Sequence, residues 1–244
     1  MTIELNHKEL YQHLTNEKFH ASILSLKLDD KADVPVESRT PTPAGGAAAG
    51  LTFTGNVTAG AGSQIETTDG ALRLAATTLN AAGVDLVLKG VGVSQTSASK
   101  VFASTAQITA GVGSIDLSSM LNDFTGQVTL TASGAAASIG DINGLSLNSL
   151  TGKLAVTTSI TAIAGTQLVL TPENLTTTSG NIYLQSKDGN LTTPGTLTTT
   201  TGNVTLIGNF VTGSNGTVQV NQTITTGSGA VTVSADKEVI LSKS

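Results

Sequence analysis

The 244-residue sequence predicts an all-β fold, a right-handed parallel β-solenoid preceded by a short N-terminal cap segment of helix and strand. Three observations support this prediction: one short phrase recurs along most of the chain, aromatic residues make up only 3% of it, and cysteine is absent. A compact globule usually fills its thick core with aromatic side chains, whereas the thin core of a solenoid needs only Val, Ile, Leu and Ala. We place the cap segment at residues 1–45 and the solenoid at 46–244.

The N-terminal segment differs from the rest of the chain in charge. Residues 1–40 hold seven acids and five bases, whereas the residues after 40 hold the other ten acids and seven bases. Asn6 as N-cap and Glu9 as its capping-box partner predict a short helix, and a Pro-rich, then Gly/Ala-rich linker follows at 34–50. We expect this segment to cover the first coil or to serve as a secretion or docking element.

The recurring phrase is clearest near the C-terminus, at residues 179–184, 201–206 and 228–233, where its glycines lie 22 and 27 residues apart. Several weaker copies upstream are about 13 residues apart, and they begin at Gly70, Gly83, Gly113, Gly126 and Gly152. A period of 20–50 residues is typical of repeat architectures.

Each part of the phrase has a physical interpretation. Its alternation of aliphatic and polar residues predicts a short strand with one buried face. Gly followed by Asn, Ser or Asp is expected to supply the positive φ of a tight corner. About 200 residues at 22–27 per coil predict roughly eight coils and a rod of about 40 Å. An antiparallel β-sandwich or barrel also shows short strands between Gly turns, and it is the alternative fold.

The phrase Ser/Thr-Gly-Asn-Ile/Val-x-Leu with its Thr-rich spacers resembles the haemagglutinin-type repeats of the filamentous haemagglutinin family of secreted adhesins. The resemblance covers residues 175–235 well and 51–244 loosely, although the chain has no Asn-Pro pair like that of the family's secretion domain. It implies a right-handed β-helix exported to the surface of a Gram-negative bacterium. The function we expect is therefore that of a non-enzymatic structural shaft of a secreted or surface adhesin. Its partners would be host or neighbouring-cell surface glycans or proteins, with biofilm or fibre formation and end-to-end self-association.

A carbohydrate-active β-helix enzyme, a polysaccharide lyase or hydrolase, is the alternative function. Such an enzyme needs two or three converging carboxylates or acidic Ca²⁺ ligands. The acids of the solenoid are scattered singly, although Asp85 and Asp116 occupy outward positions of their phrases and would stack on one face if the coils aligned them. We predict no catalytic residue, no cofactor site and no metal site.

The remaining residues with chemical potential are interpreted as structural. His7, His13 and His20 lie six and seven residues apart, which does not match the i, i+4 spacing of a helical metal site, so they are expected on the surface of the N-terminal helix. A net charge of −5 without a basic cluster argues against nucleic acid as a partner. No apolar run is long enough for a membrane span.

Two surface features leave further hypotheses open. Six Asn-x-Thr sequons allow glycosylation, although Asn at turns and Thr in strands produce the pattern automatically; they begin at Asn56, Asn174, Asn190, Asn203, Asn215 and Asn221. Threonine runs at 176–178, 192–201 and 223–226 suggest an ice-binding solenoid, which requires these threonines to stack on one flat face. The unequal coil lengths argue against such stacking.

Overall fold

The computed structural model describes residues 50–148, 153–171, 174–208 and 216–242. The N-terminal segment at 1–45, with its predicted helix and its histidines, lies outside these residues. Within them every regular element is a β-strand, and no helix is long and apolar enough to cross a membrane.

The strands are short and follow one another closely along the chain. In chain order they are β1 (Leu51–Phe53), β2 (Val57–Thr58), β3 (Ser63–Glu66), β4 (Leu72–Leu74), β5 (Thr78–Gly90), β6 (Val93–Gln95), β7 (Lys100–Ala110), β8 (Ile115–Leu117), β9 (Asp123–Phe124), β10 (Gln127–Ala132), β11 (Ala137–Asp141), β12 (Leu145–Asn148), β13 (Lys153–Val156), β14 (Ile160–Ala164), β15 (Leu168–Leu170), β16 (Asn174–Thr177), β17 (Ile182–Ser186), β18 (Leu191–Thr193), β19 (Leu197–Thr199), β20 (Val204–Gly208), β21 (Thr217–Val220), β22 (Ile224–Thr226), β23 (Val231–Ala235) and β24 (Glu238–Leu241).

Two parallel sheets run along the described solenoid, and a third, shorter one covers its C-terminal half. The first sheet has the order β1-β4-β6-β8-β11-β14-β17-β20-β23, and the second has the order β2-β5-β7-β10-β12-β15-β18-β21-β24, with β3 also on β5 and β9 also on β7. The third sheet has the order β13-β16-β19-β22. Because each strand pairs in parallel with its equivalent one turn later, the chain forms a solenoid of about eight coils, as predicted. The antiparallel sandwich is excluded for the described residues.

The register of the first sheet defines the length of each coil. Equivalent positions are 21 to 23 residues apart from Leu51 to Val204, and the step from Val204 to Val231 is 27 residues. The longer step arises between β20 and β21, because Gly208 and Val218 are separated by ten positions whereas their register partners Ser186 and Leu191 are separated by five. At about 4.8 Å per coil, eight coils form a rod of roughly 40 Å.

The core is a continuous column of inward-facing aliphatic side chains. In the third sheet, for example, Leu154, Leu175 and Leu197 stack in register and are almost completely buried. Phe53 and Phe124 are the largest buried side chains. The period-two burial of strands such as β17 confirms the predicted alternation of inward and outward residues.

The weaker copies of the phrase occupy different sides of the coil, which explains their spacing of about 13 residues. The copies after Gly70 and Gly113 form strands β4 and β8 of the first sheet, whereas those after Gly83 and Gly126 contribute to β5 and β10 of the second. One coil therefore contains copies of the phrase in more than one sheet. The spacing of about 13 residues is the separation, along the chain, of two copies in neighbouring sheets of the same coil.

The role expected for the phrase glycines was wrong for the C-terminal copies. Among the described glycines only Gly62 and Gly83 have a positive φ; Gly83 begins an upstream copy of the phrase, and no C-terminal copy begins with such a glycine. At Gly180, Gly202 and Gly229 a Cβ atom would instead lie 1.3 to 1.9 Å from a carbonyl oxygen of the preceding coil. Glycine is required there because two backbones approach closely at the stacked corner.

Candidate functional site

The two aspartates considered as a catalytic pair do not stack. Asp85 lies on β5 of the second sheet and Asp116 on β8 of the first. The Thr105 hydroxyl donates to Asp85 Oδ1 at 2.5 Å, and the Ser118 hydroxyl donates to Asp116 Oδ1 at 2.7 Å. Each carboxylate thus has a local hydroxyl partner on its own side of the rod, so the face needed by the enzyme alternative does not form from this pair.

The other acids form at most pairs in the part of the chain that the structure describes. No group of three or more His, Asp or Glu side chains that could hold a metal ion occurs there. Glu66 forms an ion pair with Lys89, in which Nζ and Oε1 are 2.5 Å apart. The hydrogen bond from Lys89 lowers the pKa of Glu66, against the opposing effect of partial burial. This pair joins β3 to β5 and thereby secures the first coil.

Asp141 is a buried carboxylate that sequence reasoning did not single out. Its side chain is completely buried at the end of β11, and it accepts backbone N–H bonds from Phe124 and Asn143, both at 2.7 Å. Burial raises the pKa of Asp141 to about 6, the two backbone N–H groups lower it, and the charge of Asp123 raises it. The sequence did indicate that Asp141 is buried, because every second side chain of a strand faces the core and Asp141 follows Ala137 and Ile139 at that spacing.

A second buried polar group lies at the corner between the first and second sheets. Asn122 is completely buried. Its side-chain amide group donates to Gln95 Oε1 and to the carbonyls of Leu117 and Gly140. Its Oδ1 accepts hydrogen bonds from Gln95 Nε2 and from the Val101 N–H. These bonds, between 2.8 and 3.1 Å, connect three successive coils. The network satisfies corner backbone groups that would otherwise be buried without partners, so its role is structural.

A shallow depression of about 300 Å³ lies beside these corners on the second sheet. Its lining residues are Thr125, Gly126, Gln127, Gly144, Leu145, Ser146, Gln167 and Val169. None of them is ionisable, so this depression offers no group for acid–base chemistry.

The sequon asparagines lie mainly at exposed corners. Asn190 Oδ1 accepts the N–H of Thr217 at 3.0 Å, and Asn203 Oδ1 accepts the N–H of Ala230 at 2.8 Å, so each side chain ties its coil to the next. Asn56 and Asn174 make the same kind of bond to Thr78 and Thr196. Asn215 lies outside the described residues. The Asn of these phrases therefore has a structural role, and glycosylation stays a hypothesis.

Most threonines of the three runs lie on the third sheet or at its ends, where they divide into an inward and an outward set; Thr192 and Thr193 lie on β18 of the second sheet. Thr177 and Thr199 point inward, are 1% exposed, and both donate to the carbonyl of Gly180. Thr176, Thr198 and Thr225 point outward and stand in register on β16, β19 and β22. Because the longer last coil departs from its predecessors only between β20 and β21, it does not break this column. The expectation that unequal coils prevent stacking was wrong.

The outward threonines extend on both sides of this column. Two residues before it lie Thr196 and Thr223, and two residues after it lie Thr178 and Thr200. We call the outward set the threonine face, and its members are Thr176, Thr178, Thr196, Thr198, Thr200, Thr223 and Thr225. All seven are exposed or half-buried.

No protein-family model, no curated protein and no solved structure matches this chain. The parallel β-solenoid therefore rests on the molecule's own strand pairing, and the resemblance to adhesin repeats remains a resemblance of the phrase.

Proposed function

We propose that the chain is a non-enzymatic structural shaft of a bacterial secreted or surface adhesin. The observation that supports this function is the continuous parallel pairing of strands through about eight coils around one aliphatic column, with a register shift between Ala81 and Asp85 where β5 pairs with β7. A solenoid of this kind resists bending, because every coil is bonded to its neighbours on several sides at once. A stiff rod holds a binding element at a distance from the surface that carries it.

The outer faces are suited to presentation rather than to chemistry. Along the first sheet, successive outward positions hold Thr52, Arg73, Ser94 and Asp116, a mixture of small polar and singly charged side chains. Such residues keep the rod soluble, and they are available for weak contacts with glycans or proteins of host or neighbouring cells. Attachment would then be the sum of many contacts along the rod.

End-to-end association, the route to fibres in this proposal, would use the outermost described coils. Val231, Val239 and Leu241 of the last described coil are 46%, 40% and 70% exposed, whereas Phe53 and Val57 of the first are 1% exposed. Strands β1, β2 and β3 at one end and β22, β23 and β24 at the other pair with a described strand on one side only. A strand edge beside apolar side chains favours association where no further strand covers it.

The adhesin proposal is tested by attachment. Beads coated with the purified chain are expected to bind bacterial or animal cells more strongly than beads coated with an unrelated β-solenoid. Binding no better than that control, across a panel of cells and glycans, would contradict adhesion. Release of reducing ends from an acidic polysaccharide that is abolished by Asp85→Asn or Asp116→Asn would instead establish the enzyme alternative.

A coil excision isolates the contribution of rod length. Ile160 and Ile182 are register partners, so deleting residues 160–181 removes one whole coil and joins equivalent positions. We expect this variant to fold and to retain attachment at a slightly reduced level. Deleting residues 160–170 removes half a coil and should abolish folding, since every following strand would then meet the wrong side.

A further inference from the structure

The threonine face is a two-dimensional array on the outer side of the third sheet. Thr176, Thr198 and Thr225 repeat from coil to coil, at about 4.8 Å, the spacing of neighbouring strands. Further threonines flank this column two residues away and just outside the strands: Thr196 and Thr223 precede β19 and β22, and Thr178 and Thr200 follow β16 and β19. Hydroxyl and methyl groups therefore recur in two directions on one surface.

The hydroxyls of the central column are left for solvent. Those of Thr176, Thr198 and Thr225 make no hydrogen bond with any residue that the structure describes, whereas the inward Thr177 and Thr226 hydroxyls donate to the carbonyls of Gly180 and Gly229. A β-branched side chain in a strand has few χ1 rotamers, so the positions of the outward hydroxyls are largely fixed. Such hydroxyls can hold first-shell water in a repeating arrangement at low entropic cost.

The composition of the face restricts the class of ligand. Residues 174–178, 196–200 and 223–227 include no ionisable and no aromatic side chain. A charged polymer would find no counter-charge there, and a sugar ring would find no aromatic platform on which to stack. The ligand that matches an uncharged, rigid lattice of hydroxyl and methyl groups is itself a lattice, namely ordered water.

We propose that the threonine face binds the surface of ice. This activity is independent of the shaft function, since it needs only β16, β19 and β22 and their flanking corners. Each contact is weak, but an ice surface meets the three hydroxyls of the central column and the flanking threonines at the same time, so the contacts act together. Of the flanking hydroxyls, that of Thr196 donates to Asn174 Oδ1 at 3.0 Å, and this bond holds it in place at the edge of the face.

The test is ice recrystallisation and thermal hysteresis of the purified full chain. We expect the wild type to restrain crystal growth and Thr198→Tyr, which places a bulky ring at the centre of the face, to lose that effect. The matched control is Thr205→Tyr, an outward, half-buried threonine on the first sheet whose register partner in the preceding coil is already Tyr183. It should keep the full effect, and circular dichroism would check that both variants fold.

Three outcomes would overturn the proposal. The first is a wild type that leaves ice growth unchanged, and the second is a Thr198→Tyr variant that folds and is as active as the wild type. The third is an equal loss in Thr205→Tyr, since the activity would then not belong to the threonine face.

Discussion

The two halves of the solenoid satisfy their corners in different ways. In the N-terminal half, the corner after the first sheet uses buried polar side chains: Thr77 bonds to the Phe53 carbonyl, Ser99 to the Leu74 carbonyl, and Asn122 to three coils at once. In the C-terminal half exposed asparagines bridge the corners, since Asn190 and Asn203 each accept one N–H bond from the next coil. Buried corner hydroxyls occur there too, but those of Thr177 and Thr199 both donate to the Gly180 carbonyl rather than to another buried side chain.

This difference shows why the repeat is easy to recognise in one half and faint in the other. An exposed asparagine above a close backbone contact can be copied from coil to coil, because each copy makes the same bond to its neighbour. A buried network is particular to its coil, since every member must match the shape and polarity of all the others. The N-terminal half therefore gains coil-specific bonds at the cost of a regular sequence pattern.

The largest expected effect comes from removing the centre of the buried network. Asn122→Ala leaves the Val101 N–H, two carbonyls and the Gln95 amide without their partner, so we expect the free energy of unfolding to fall by about 3–5 kcal/mol. The matched control at the same corner is Asn190→Ala, which removes one exposed bond and should cost about 1 kcal/mol. Urea unfolding followed by circular dichroism measures both free energies. An equal loss of unfolding free energy in the two variants would contradict the proposed difference between the two halves.

A slightly smaller effect is expected at the stacked glycines of the C-terminal half. A Cβ at Gly202 would lie 1.9 Å from the Gly180 carbonyl oxygen, so Gly202→Ala should destabilise the fold by about 3 kcal/mol. Gly62 has a φ of +72° and no atom within 4 Å of its Cβ position. Gly62→Ala should therefore cost only about 1–2 kcal/mol, and Asn should be tolerated there but not at position 202. A Gly202→Ala variant as stable as the wild type would disprove the close-approach explanation.

The third effect is a pH dependence that arises from Asp141, in the N-terminal half. The folded-state pKa of Asp141 is about 6, above its usual 3.8, so the folded protein binds this proton more tightly than the unfolded chain does. The group's stabilising contribution is thus fully present below pH 4 and is lost as the pH rises towards and through 6, with a total of about 2–3 kcal/mol. Glu66 acts in the opposite direction, because its pKa is lowered.

The wild type must therefore be compared with Asp141→Asn across this pH range. The difference in unfolding free energy between the two proteins should change between pH 4 and 7 and be constant above 7. A difference that is independent of pH would show that Asp141 titrates normally.

The sequence alone predicted the solenoid and the number of coils, because Ile182-Tyr183-Leu184 and its copies combine period two with a repeat of about 22 residues. It did not identify the role of Gly202, since a positive φ and a close backbone approach both select glycine. Asp141 was not identified because its sequence context, a single acid next to apolar residues, is the same as that of Asp116, which faces outward. The threonine face was obscured by the 27-residue last coil, whose extra residues come between β20 and β21 in the sequence and leave the register of β19 with β22 intact.

The parallel register itself is tested most directly by disulfide formation, since the chain has no cysteine of its own. Tyr183 and Thr205 are outward register partners, at the strand spacing of about 4.8 Å that a disulfide can bridge. We expect the double variant Tyr183→Cys/Thr205→Cys to form an intramolecular disulfide on mild oxidation. The pair Tyr183→Cys/Ile207→Cys, displaced by two residues on the same face, should remain reduced because its separation exceeds about 7 Å. Equal cross-linking of the two pairs, or preferential cross-linking of the displaced pair, would contradict the in-register solenoid.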